Sequence, residues 1–189
     1  MDKLRLFATA AFGVESVVAR ELKHLGYGDT HTDNGRIFFE GDFEAVCRTN
    51  LWLRSAERVH IVLSEFTATT FSDLFDATAS IPWEDWLPKD AEFPVTGKCV
   101  KSVLMSISDC QSIIKKAIVE RLKKVYKLET FPETGSRYHI DFSITKDKVT
   151  ISLDTTGEGL HKRGYRSLGY EAPIKETLAA AMLMISRWT

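Results

Sequence analysis

Apolar positions change period several times along the chain, and each change predicts an element. Lys3 to Ala10 reads as a strand, and Val14 to Leu25 as a helix with Val14, Val17, Val18, Leu22 and Leu25 on one stripe and Gly26 as its stop. Arg36 to Glu40 is a short strand behind an Asn34-Gly35 turn, Phe43 to Leu53 a second helix, and Arg58 to Phe66 a returning strand. A β-α-β-α-β order in this stretch predicts a small ferredoxin-like α+β unit.

The pattern then starts afresh. A helix is expected near Phe71 to Ile81, followed by a proline-bounded aromatic turn from Pro82 to Pro88, whose Trp83 and Trp86 read as core anchors. Phe93 to Leu104 contains a strand. Ser108 and Gln111 have capping-box spacing, and the helix after them has the clearest stripe of all: Cys110, Ile113, Ile114, Ala117, Ile118, Leu122, Val125 and Tyr126. Tyr138 to Thr145 and Val149 to Asp154 alternate as a hairpin across Lys146-Asp147-Lys148, which closes an α/β unit.

The last stretch differs in kind. Gly157 to Arg166 is a glycine-punctuated basic turn, and a helix with Pro173 in its first turn then runs from Leu178 to Ile185 without one polar residue. A helix apolar all round must be buried on every side, and this one is far shorter than the roughly 20 residues of a membrane span. It is expected to need a partner surface beyond residue 189. The boundaries fall near Phe66 and Thr156, giving units 1–66, 67–156 and 157–189.

A net charge of −1 conceals an asymmetry. Glu65 to Thr96 holds seven acids against Lys89 alone, whereas Lys98 to Lys127 holds eight bases against Asp109 and Glu120. Such a basic segment points to a polyanion partner, unless the acidic stretch pairs with it internally. Cys47, Cys99 and Cys110 have no CxxC spacing and sit in apolar patterns, so they predict buried thiols in a reducing compartment. The five histidines are scattered singly and suggest no zinc site; the first residues lack the apolar core of a signal peptide, which leaves the cytoplasm as the expected location and no membrane partner.

Three segments carry a resemblance. They are Phe7 to Glu15 with Glu21-Leu22 and Leu25-Gly26-Tyr27; Asn50 to Val59; and Leu160 to Arg166 through Ala172-Pro173-Ile174-Lys175-Glu176-Thr177-Leu178-Ala179-Ala180-Ala181. Together they resemble the N-terminal half of the THUMP-containing bacterial RNA guanine-N2 methyltransferases, which modify 23S ribosomal RNA. The resemblance implies a ferredoxin-like domain, then a THUMP RNA-binding α/β domain whose core matches Lys98 to Val119, then the first helix of a truncated Rossmann-like methyltransferase domain using S-adenosylmethionine. The family's glycine-rich cofactor loop and its Asn/Asp-Pro-Pro-Tyr-like tetrapeptide have no counterpart here, where there is no Pro-Pro pair. The chain alone is therefore expected to bind RNA and not to transfer a methyl group.

Candidate sites follow. Lys98, Lys101, Lys115, Lys116 and Lys124 are expected to contact phosphates, with Ser102 and Ser106 as hydroxyl donors. His161, Lys162, Arg163, Tyr165 and Arg166 either hold RNA backbone and stack on a base, or form a rigid connector whose bases cover helix carbonyl ends. By resemblance Pro173, Lys175 and Thr177 wall the cofactor pocket. The expected function is to present a guanine of 23S ribosomal RNA to the absent catalytic domain. The alternatives are a stand-alone THUMP adaptor and a THUMP module of another RNA-modifying enzyme, such as a thiolating one, acting on tRNA.

Overall fold

The central strand of the first half is buried on both faces. In the computed structural model, which describes residues 3–164 and 173–186, Leu6, Phe7 and Ala8 are all inaccessible to solvent. The chain divides into two units: Met1–Ile61 with Asp154–Thr189, and Val62–Leu153.

In the first unit the order is β1 (Leu4–Thr9), α1 (Glu15–His24), β2 (His31–Asp33), β3 (Arg36–Gly41), α2 (Phe43–Trp52) and β4 (Arg58–Thr67), the unit boundary falling inside β4. The strands lie in the order β2-β3-β1-β4, all antiparallel, as a ferredoxin-like β-α-β-β-α-β unit requires. Leu6 pairs with Phe39 and Ile61, and Ala8 with Ile37 and Val59, so one face of the sheet is a continuous apolar layer. α1 and α2 pack on β3, with Val17, Val18 and Leu22 of α1 buried. On the other face Phe7 stacks on His60 at 4.6 Å, and the guanidiniums of Arg36 and Arg5 cover Phe7 and Phe38 at 4.8 and 5.1 Å.

β2 is an element that the sequence pattern does not predict. Asn34 and Gly35, read there as the lead-in to a strand, have φ of 46° and 77°. Two successive positive φ values make a type I′ hairpin turn, which joins β2 to β3. All three β2 residues are exposed, so no apolar alternation marks them.

The second unit contains α3 (Phe71–Ser80), a 3₁₀ turn (Trp83–Asp85), β5 (Val95–Val100), α4 (Ile107–Tyr126), β6 (His139–Thr145) and β7 (Lys148–Asp154). The strand order is β7-β6-β5, with β5 parallel to β6, and the β6–β7 turn again uses two positive φ values, at Lys146 and Asp147. α4 packs on α3 and β5 through Cys110, Ile114, Ala117, Ile118 and Leu122. Its cap lies earlier than the expected Ser108–Gln111 pair. Ser106 Oγ accepts from the Asp109 N–H, while the Gln111 amide donates to the Val95 carbonyl at 2.9 Å. Trp83 is fully buried and donates its indole N–H to the Thr78 carbonyl, which makes it a core anchor. Of the three thiols only Cys110 is buried, its pKa pushed up to about 12 by burial and then by Cys99; Cys47 is exposed and Cys99 half-buried.

α5 (Glu176–Ser186) belongs to the first unit. It begins three residues after Pro173, which therefore precedes the helix rather than sitting in its first turn. Within the first unit the helix is buried on one side only. Thr177 and Ala181 are buried and Met184 partly so, Ala181 and Met184 packing with Val14, Val17, Ala10 and Ala11, while Met182, Leu183 and Ile185 are each more than half exposed.

Two outcomes test this framework. A Cβ at Gly97 would lie 2.2 Å from the Phe142 carbonyl oxygen, backbone that cannot swing aside. Gly97→Ala should cost about 1–3 kcal/mol, read as a lowered denaturant midpoint. Separately, the Arg121 guanidinium holds the Glu84 carboxyl below its ordinary 4.5. The unfolded chain then binds the proton more readily, so the contribution is present above the unfolded value and lost as pH falls through the lowered folded one. In Glu84→Gln the acid arm of the stability–pH curve should be shallower.

Candidate nucleic-acid interface

In the second unit the basic residues separate into those already engaged and those available. Arg121 gives two N–H groups to the Glu84 carboxylate, at 3.0 and 2.5 Å, and is the point where the basic helix pairs with the acidic stretch. Lys115 is taken by Glu133 at 2.8 Å and lies over the Phe93 ring. Lys98 and Lys101 near the end of β5, and Lys116 and Lys124 on α4, are exposed and have no ion pair among the described residues; Lys123 and Lys127 on the same helix likewise have none. The acidic stretch therefore leaves most of the basic segment uncompensated. Ser102 is less available than expected: its hydroxyl donates to the Val100 carbonyl and accepts from the Asp147 N–H. Ser106 remains exposed at the α4 N-terminus, its oxygen capping the helix and 3.3 Å from the Ser108 hydroxyl.

In the first unit the basic turn returns to the end of α2. A helix leaves its last carbonyls without intrahelical partners. Arg163 satisfies those of α2: its Nη groups donate to the Asn50, Leu51 and Leu53 carbonyls at 2.9, 2.5 and 2.6 Å, and its Nε to Leu160 at 3.1 Å. Four of its five donors are spent. Of the two roles expected for this turn, the carbonyl-covering connector is the one that Arg163 performs. Beside it Glu57, not singled out from sequence, accepts from the Thr177 hydroxyl at 2.9 Å and from Lys175 at 3.2 Å, with His161 Nδ1 3.8 Å away. Its backbone N–H bonds Thr9 and its carbonyl accepts from Leu160. The one hint in the sequence was an acid set between Arg54 and Arg58. Lys162 is exposed, with Glu158 3.7 Å away; Tyr165 and Arg166 lie outside the described residues.

Thr177 is 2% exposed and donates its hydroxyl to Glu57, while Lys175 spends one of its three N–H donors on the same carboxylate and stays largely exposed. Pro173 brings only a ring to an open cavity of about 390 Å³ shared with His161, Lys162 and Lys175. Lys175 and Thr177 tie the start of α5 to Glu57. Among the described residues no helix is long and apolar enough to cross a membrane, and no group of three His, Cys, Asp or Glu could hold a metal ion.

The family models match in the same order as the two halves. The RlmL ferredoxin-like domain covers residues 5–60 and the THUMP domain residues 68–154. The chain is 50% identical, over its full length, to "Putative RNA methyltransferase YpsC" of Bacillus subtilis (strain 168), spanning 49% of that protein. It is 34% identical to "Ribosomal RNA large subunit methyltransferase K/L" of Syntrophotalea carbinolica over 98% of its own length and 26% of the relative's. Thus the chain spans about half of the first relative and about a quarter of the second. Among solved structures it matches a predicted N6-adenine-specific DNA methylase from Listeria monocytogenes (TM-score 0.94, 52% identity, all of this chain and 50% of that one). It also matches SMU.472, a putative methyltransferase complexed with SAH (TM-score 0.92, 44% identity, all of this chain and 50% of that one). The chain therefore holds an RlmL ferredoxin-like domain followed by a THUMP domain, and over its whole length it is similar to part of longer proteins named as RNA methyltransferases.

Proposed function

We propose that the chain is the RNA-gripping part of a cytoplasmic, S-adenosylmethionine-dependent methyltransferase that acts at N2 of a guanine in 23S ribosomal RNA. Its task is to seize the RNA and present that guanine to the catalytic half found in the longer relatives. The observation that carries this reading is the set of uncompensated lysines, Lys98, Lys101, Lys116 and Lys124, within the THUMP domain. Each is a mobile point charge suited to phosphate. Phosphate contacts release condensed counterions, so they supply affinity that falls with salt. Ser106 and Lys162 are kept as secondary contacts, with His161 next to Lys162 in the chain. The functional boundaries proposed are those near Phe66 and Thr156. A relative complexed with SAH, the demethylated form of S-adenosylmethionine, supports the cofactor assignment for the whole protein. The outer face of α5 is proposed to seat against the catalytic half.

Two measurements test the reading. Four lysines on single-stranded or looped RNA predict a slope of log K against log salt of about −2.8, that is, four times −0.7. A flat response removes the lysines from the account, and equal affinity for tRNA and 23S fragments favours the tRNA-acting alternative. Second, Lys98→Glu with Lys116→Glu should weaken RNA binding at unchanged stability. Arg163→Met should do the reverse and destabilise the fold by about 2–3 kcal/mol, because it strands carbonyl groups at the α2 end. A stable Arg163→Met that has lost RNA affinity would return Arg163 to the interface.

A further inference from the structure

A second recognition surface lies on the first unit, between the C-terminal ends of α1 and α2. Glu21 and His24 of α1, with Leu51, Trp52, Arg54 and Arg163, line an open groove of about 370 Å³. Trp52 and Leu51 are 66% and 67% exposed, an unusual placing for an indole at a helix end. No described ring or cation stacks on Trp52.

The electrostatics of the groove are one-sided. Its single carboxylate, Glu21, is 7% exposed and saturated: it accepts from the Arg54 N–H and Nε at 3.1 Å, from the Ser55 N–H at 3.0 Å, and from the Ser55 hydroxyl. Arg54 uses Nε for this, and its side chain remains 68% exposed, with both Nη groups unassigned. The carbonyls at the α2 end, which would otherwise repel an anion, are covered by Arg163. Over the last two turns of both helices the exposed charged residues are Arg20, Lys23 and Arg48, with no exposed acid among them.

A flat, unstacked indole sharing its groove with the exposed Arg54 guanidinium fits a flat, anionic ligand. We infer that this groove binds one unpaired nucleotide of the RNA, the base stacking on Trp52 while Arg54 and His24 hold its phosphate. Stacking on an aromatic side chain suits any base, and the guanidinium supplies the phosphate contact. A protein partner is the less favoured occupant, because it would need an acidic surface, whereas RNA brings its charge at every residue. The inference rests on the RNA-binding reading above and extends it from the THUMP domain to the ferredoxin-like one.

The test is fluorescence anisotropy of the whole chain with a labelled single-stranded RNA oligonucleotide, repeated over a salt series. Trp52→Ala should weaken binding about tenfold with the salt slope unchanged, and Trp52→Phe should restore most of it. Arg54→Gln should make the slope shallower by about 0.7, one phosphate contact on a single strand. Both sites are exposed, and thermal unfolding checks that the variants fold. Unchanged affinity in Trp52→Ala and Arg54→Gln, while the Lys98→Glu/Lys116→Glu variant loses RNA, overturns the groove and leaves the proposed function standing. Full binding by all of these variants overturns both. If Trp52→Ala leaves RNA affinity intact but abolishes a self-association seen by sedimentation, the groove is a protein contact and the inference falls.

Discussion

The first unit depends on a guanidinium that closes the end of a helix. α2 stops at Trp52, and the carbonyls of Asn50, Leu51 and Leu53 converge on Arg163, more than a hundred residues further along the chain. Only a planar fork with several donors can serve carbonyls pointing in different directions, so lysine would not replace it. Glu57 completes the closure. Its backbone joins Thr9 to Leu160 and its carboxylate receives Thr177 and Lys175, so Leu160, Lys175 and Thr177 are all tied to the segment just after α2. The start of α5 is placed by this network, and its inner stripe meets Val14 and Val17 as a result.

Much of this fold was legible because it rests on period and punctuation. α1, α2, α3 and β4 all lie within a residue or two of where the apolar stripes place them, and the clearest stripe became α4. The failures have a common cause, which is information held by distant partners. β2 has no apolar residue and exists only because β3 pairs with it. Two serines compete to cap α4, and the earlier one wins at Ser106 while Gln111 is drawn off to Val95. α5 has only apolar side chains from Leu178 to Ile185, yet Ala181 and the half-buried Met184 make its contact with α1.

The candidate site shows the same limit in chemical terms. Arg163, Lys162 and Lys175 look alike in the sequence, each a cation in a glycine-bounded or proline-bounded turn. Counting donors separates them: Arg163 has one N–H left, Lys175 is held by Glu57, and Lys162 has only a neighbour 3.7 Å away on the surface, a pairing worth little. The same count divides Lys115, bound to Glu133, from Lys116, which is bound to nothing described. A basic segment therefore proposes a polyanion partner, but the residues able to meet it are those whose donors the fold has left unspent.

The outer face of α5 poses the converse problem. In an ordinary surface helix the large apolar residues turn inward and polar ones face water. Here Ala181 faces inward, close enough for Ala10 and Ala11 to approach, while Met182, Leu183 and Ile185 point out and Phe12, in the loop before α1, is 96% exposed. Ala181 allows close approach and Met184 is only half covered, so this contact alone buries little area and gives the helix a weak hold. Large residues outside hold most of the apolar area that could stabilise it, at roughly 25 cal/mol per Å² once removed from water. A helix so built gains more from what it has yet to touch than from what it touches now.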